Sequence, residues 1–153
     1  MGTWETSTTV MGEPEDVLDV LTDPNSARRW SPIGFQLEQL EGDRLRSGSR
    51  ARLTGTLAGR GVSFDVHVLK ASGGKLELRA SGPVEMDVLY NAVARAGGTE
   101  VTASVAVRSA GGLLGRLLSS ATDALLAGGA LQLAVAAVAR EVELATDGFA
   151  VAA

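Results

Sequence analysis

A chain of 153 residues with formal net charge −4 is long enough for one domain with a buried core. It has no cysteine, which excludes disulfides, thiolate nucleophiles and thiolate-held metals, and no basic stripe, which excludes a nucleic-acid surface. Its densest basic stretch, Arg44, Arg46, Arg50 and Arg52, reads as alternating positions on a solvated strand face.

The first residues show neither a basic n-region nor an apolar h-region, so no secretory signal is expected and the chain reads as cytoplasmic. Trp4 to Val10 is rich in β-branched and aromatic residues and predicts an opening strand. Pro14 suits a first helical position, with Glu15 and Asp16 favourable to the helix dipole. Val17, Leu18 and Leu21 form the buried stripe of this helix, and Asp23-Pro24 ends it. Asn25 or Ser26 can cap a second short helix through Trp30.

From Phe35 the pattern changes to period two. Segments 36–41, 50–57, 62–68, 76–80, 84–94 and 101–107 alternate apolar and polar residues between glycine-bearing turns. Hairpin after hairpin predicts an antiparallel meander with one buried face. The inward set is Ala51, Leu53, Gly55 and Leu57; Val62, Phe64, Val66 and Val68; Leu76, Leu78 and Ala80. It continues with Val84, Met86, Val88, Tyr90 and Ala92, then Val101, Ala103, Val105 and Val107. Gly111 to Glu143 follows as one long helix. Its apolar face carries Leu114, Leu117, Leu118, Ala121, Leu125, Gly128, Leu131, Val135, Val138 and Val142. Its opposite line runs Arg116, Ser120, Asp123, Ala127, Ala130, Ala134, Ala137 and Glu141. That line would let a second copy approach closely, making a homodimer through it a candidate. The uncharged run Ala124 to Ala139 is sixteen residues, short of the roughly twenty that span a bilayer. It predicts a buried helix rather than a membrane partner. Gly128-Gly129 should sit over a cavity or mark a bend. The architecture is α+β, one domain over 1–147 with a loose tail at 148–153.

Several local patterns, taken in this order of elements, carry a resemblance. They are Pro14-Glu15-Asp16-Val17 with Leu21-Thr22-Asp23-Pro24, Arg28-Arg29-Trp30, Gly48-Ser49-Arg50 opening a strand, and Gly111-Gly112-Leu113-Leu114 opening the helix. Together they resemble the START-like helix-grip superfamily, within it polyketide cyclase/dehydrase-type proteins and the G-subunit type of carbon monoxide dehydrogenase. The resemblance implies a seven-stranded antiparallel curved sheet wrapped around a long C-terminal helix, with two short helices after the first strand. It also implies an apolar cavity for a lipid, polyketide or other hydrophobic ligand. Leu18 departs from the large aromatic of many relatives.

Small residues on sheet and helix, including Gly55, Ala80, Ala92, Ala103 and Gly129, leave volume that a ligand could use. The expected ligand contacts are Trp30, Leu53, Phe64, Val66, Leu78 and Met86, with Val88, Tyr90, Val105, Leu125, Gly128 and Gln132. Inward polar groups are few: Tyr90, Gln132, and Thr6 or Thr8. Tyr90 and Gln132 are the candidates for a catalytic role. His67 falls on the outward parity beside Asp65, as do Glu85 and Asp87, where no cleft would serve a general base. One histidine without cysteine leaves no metal site, and no phosphate loop or dinucleotide fingerprint implies a cofactor. Three functions stay open: a binding module for a small hydrophobic molecule; a cyclase or dehydratase of secondary metabolism, needing neither metal nor nucleotide; and an accessory protein that meets a membrane or partner enzyme through the helix.

Overall fold

The computed structural model describes residues 3–26, 36–40, 42–57, 59–110 and 112–152. Seven strands form one antiparallel sheet: β1 (Thr3–Val10), β2 (Gln36–Glu38), β3 (Arg50–Leu57), β4 (Arg60–Ser72), β5 (Lys75–Ser81), β6 (Val84–Arg95) and β7 (Gly98–Ala110). Their order is β1-β7-β6-β5-β4-β3-β2, so the meander closes with β1 beside the last strand. Helix α1 (Pro14–Thr22) follows β1, and α2 (Gly112–Ala127) and α3 (Ala130–Ala152) follow β7. This is the helix-grip fold; the period-two reading locates β2 to β7, and the β-branched stretch at the start locates β1.

Register explains why the alternation works. Val66 lies opposite Ala51 and Ala80, and Val88 lies opposite Leu78 and Val105. Side chains of one parity therefore share one face across the sheet. Bulges after Val68 and Glu85 add twist and curl the sheet. The curl brings α2 against both β7 and β3, which stand near opposite ends of the strand order. On the convex back, charged residues pair locally. Asp87 accepts from Arg79 at 3.1 Å and from Arg108 at 2.7 Å, and Asp65 sits 3.5 Å from Arg52 rather than on His67.

In α1, Val17 and Leu21 are buried as expected, Val20 joins them, and Leu18 is half-buried. The Glu13 amide donates to the Asp16 carboxylate at 2.9 Å. Asp23, not Asn25 or Ser26, caps the next helical turn, its carboxylate accepting from the Asn25 amide and the Ser26 hydroxyl. The continuation of that turn through Trp30 lies outside the described residues. Arg44 and Arg46 correct the basic-strand reading: they stand in the loop before β3, paired with Asp19 and Asp43.

The C-terminal helix is two helices. Gly129 takes φ +97°, a left-handed conformation that ends α2. Its carbonyl then accepts the Leu133 amide at 3.0 Å and starts α3. The axes of 115–127 and 130–145 differ by 57°. The bend at Gly128-Gly129 is therefore present, and the single helix is not. Helix α3 also continues through Ala152, across the segment expected to be a loose tail. Among the described residues no single helix is long and apolar enough to cross a membrane; the bent pair reaches that length and composition only when its two parts are taken together.

Candidate functional site

Two core clusters occupy the concave side of the sheet. The larger joins Val10, Val17, Leu21, Leu76, Tyr90, Val101, Leu131, Val135, Val138 and Val142 under α1 and α3. The smaller joins Val62, Phe64, Val66, Ala80, Val84, Val107 and Leu118 under α2. Trp4, Leu78, Met86 and Leu126 pack against both clusters, yet all four keep part of their surface exposed.

The seam between the clusters is the candidate site. On β6, Val84, Tyr90 and Ala92 are sealed, while Met86 and Val88, on the same face between them, are half-buried. Leu78 on β5 and Leu53 on β3 behave likewise. These inward positions on inner strands keep part of their surface accessible where their neighbours do not.

Polar groups at the site are few. Tyr90 is the one ionisable side chain on the inner face of the described strands. Burial pushes its phenol far above the ordinary tyrosine range. It therefore stays protonated at neutral pH, able to donate a hydrogen bond and unable to act as a base. Thr6 shares its face, since both register with Ala103. No group of acidic or histidine side chains able to hold a metal ion occurs among the described residues.

Leu53, Leu78, Met86 and Val88 lie on the inner face that their parity predicts, and there they line the seam. Phe64, Val66 and Val105 face inward but are sealed core. Gly82 makes room for Phe64: a Cβ there would stand 2.6 Å from the Ser63 carbonyl and 2.8 Å from the Phe64 ring. Three helix residues need correction. Leu125 is 39% exposed, and Gly128 and Gln132 face solvent. Among the described side chains the buried stripe of α2 runs over Gly115, Leu118 and Thr122, with Leu126 at its edge. Gln132 then projects away from the α3 stripe of Leu131, Val135, Val138 and Val142, and its catalytic candidacy falls with that placement. Ala134 moves the other way: it is buried, so the outer alanine line is interrupted. Trp30, and the side chains of Leu57 and Leu114, lie outside the described residues. Trp4 and Leu126 join the seam without having been expected there. Extending the parity of Thr6 and Thr8 by one step would have found Trp4.

A separate open groove of about 670 Å³ runs between α1 and α3, lined by Asp16, Asp19, Asp23, Arg44, Glu141 and Val142. Asp16 and Asp23 cap helical turns and Asp19 pairs with Arg44 at 3.2 Å, so these carboxylates already have structural partners.

A concave antiparallel sheet closed by terminal helices, with an apolar seam between two cores, defines a helix-grip protein. The family model described as polyketide cyclase / dehydrase and lipid transport matches residues 1–143, and the chain belongs to that family. Among solved structures, the Zhui aromatase/cyclase from Streptomyces sp. R1128 is similar at 20% identity and TM-score 0.65, over 92% of this chain and 93% of that one. A START superfamily protein from Mycobacterium smegmatis is similar at 16% identity and TM-score 0.67, over 94% and 99%. TTHA0849 from Thermus thermophilus is similar at 14% identity and TM-score 0.67, over 94% and 98%. No match is found among curated proteins. At these identities the solved structures speak to the fold alone.

Proposed function

We propose that this protein binds a small hydrophobic molecule, lipid-like or polyketide-like, in the seam between the inner sheet face and the break in the C-terminal helix. The observation that carries the reading is the half-exposed set Leu53, Leu78, Met86 and Val88 on an otherwise sealed face. Apolar wall left without packing partners forfeits dispersion energy that a ligand restores. Specificity would come from the shape of this apolar wall.

Catalysis is the second reading. The likeness to an aromatase/cyclase favours it, together with Tyr90 as a buried proton donor on the inner face. Holding a flexible chain in a near-reactive fold lowers its entropic barrier without any acid or base, and the phenol could polarise a carbonyl of the bound chain. A neutral naphthylamine dye that fluoresces in apolar surroundings tests the binding reading. Saturable one-to-one binding is expected, abolished by Val88→Trp while far-ultraviolet circular dichroism is retained. Absence of saturable binding, with no melting shift across lipid and polyketide panels, would overturn it. For the catalytic reading, a Tyr90→Phe variant that binds normally but turns over a poly-β-ketone substrate at least tenfold more slowly is the expected result. Unchanged turnover removes the residue from the chemistry.

A further inference from the structure

We propose that the free edge of β1 pairs antiparallel with β1 of a second copy, joining two sheets into one across a two-fold axis; this is independent of the ligand-binding reading. The two edges of the sheet differ. β2 ends one edge after three residues, Gln36–Glu38, whereas β1 ends the other with eight, Thr3–Val10. An edge strand offers its outward N–H and C=O groups to any extended chain, and proteins ordinarily blunt it with proline, lysine, a bulge or brevity. β1 has none of these. Its register with β7 is unbroken from Thr3↔Ala106 to Val10↔Thr99, and Glu5 is its one charge. Among the described residues no other strand pairs with its outer edge. That edge is open to solvent. Trp4, Thr6 and Thr8 point inward and are half-buried, while the residues beside them on β7, Val105, Ala103 and Val101, are buried. Helix α3 packs on β1, so the access that remains enters from the edge.

A second copy fits this edge because the strand is complementary to itself. Residues directly opposite in an antiparallel pair share a face, so the two-fold axis passes between a residue and its own copy. An axis at Thr6 sets Glu5 opposite Ser7 of the second copy, and Trp4 opposite Thr8. An axis at Ser7 sets Glu5 opposite Thr9, and Trp4 opposite Val10. Either way the single charge meets a neutral hydroxyl rather than its own copy, and half-buried Trp4 gains a partner. Threonine opposite threonine or serine is a favourable cross-strand pair. The sequence Thr-Trp-Glu-Thr-Ser-Thr-Thr-Val is also rich in strand-forming residues. Thr3, Glu5, Ser7 and Thr9 stand exposed on the convex face, so substitutions there alter the edge without touching the core.

Sedimentation velocity over a range of protein concentrations, at low ionic strength, tests the pairing. The parent chain should pass from monomer to dimer as concentration rises. Ser7→Glu should weaken that association at least tenfold. With the axis at Thr6 the new carboxylate faces Glu5, and with the axis at Ser7 it faces its own copy; like charges directly opposite repel. A Glu5→Lys, Ser7→Lys double variant should be weakened likewise. An equimolar mixture of the two variants should recover a dimer, because lysine then meets carboxylate across the axis. A parent chain that stays monomeric at every concentration overturns the proposal. So does a dimer that Ser7→Glu leaves unchanged, which would put the contact on another surface, and so does a mixture that fails to associate. Hydrogen exchange of the unsubstituted chain decides the matter should a variant fail to fold. The β1 amides directed away from β7 should exchange at least tenfold more slowly in concentrated than in dilute solution, and protection indifferent to concentration overturns the pairing.

Discussion

The two parts of the broken terminal helix face the same sheet and do different work. Helix α3 lies along β1 and α1 and seals its stripe so well that Val138 and Val142 have no exposed surface. Helix α2 reaches across to β3, β6 and β7 and leaves half-exposed leucine and methionine beneath its end. The contrast teaches that, among the described residues, the more completely sealed part of the core lies under α3. A ligand site needs unfilled volume, and a stable domain needs a filled core.

The sharpest way to break this contrast is within the smaller cluster. Phe64→Ala should cost about 3–5 kcal/mol in chemical denaturation, because a sealed aromatic is removed. Met86→Ala, at the seam, should cost no more than about 1 kcal/mol yet change dye affinity. Equal costs would mean that the seam is packed. Next, Leu118→Ala should cost about 3 kcal/mol, while Leu117→Ala, one residue away at 51% exposure, should stay within about 0.5 kcal/mol. Similar losses at both would contradict the phase given to α2.

Gly129→Ala should cost about 1–2 kcal/mol, since alanine resists the left-handed conformation, and should lower the melting temperature. A variant as stable as the parent would show that the two helices can join into one. Tyr90 gives a pH signature of the sealed end. Its phenol is raised by burial above the unfolded value of 10.0, so above about pH 10 the unfolded chain releases a proton that the folded chain retains. That difference favours unfolding, and stability should fall with pH by up to roughly 1.4 kcal/mol per unit from this residue. Tyr90→Phe should remove that part of the slope; an unaltered alkaline profile would place the phenol in contact with water. The smallest effect belongs to the convex back. Asp87→Asn removes the negative charge shared by two half-exposed arginine pairs and should cost under about 1 kcal/mol, with dye binding unchanged.

How much is legible in advance differs by element. Strand alternation is a local property of the backbone: neighbouring side chains point to opposite faces wherever the segment is extended. Leu53, Leu78, Met86 and Val88 can therefore be placed inward before any pairing is known. Helix phase is less robust, because one left-handed residue resets it. Gly128-Gly129 announces a break, but the phase in which each half meets the sheet cannot be read from spacing: in α2 Leu126, not Leu125, packs against the core. Gln132 leaves the buried face for the same reason.

By itself, the sequence determined the class: alternating strands with glycine-bearing turns and one long apolar stretch have few ways to bury both, and the helix grip is one. Only the tertiary structure decided where space remains. Phe64 and Met86 carry the same inward signal, yet one is sealed and the other half-exposed. Whether an inward residue is covered depends on which helical residue arrives opposite it, across contacts distant in sequence.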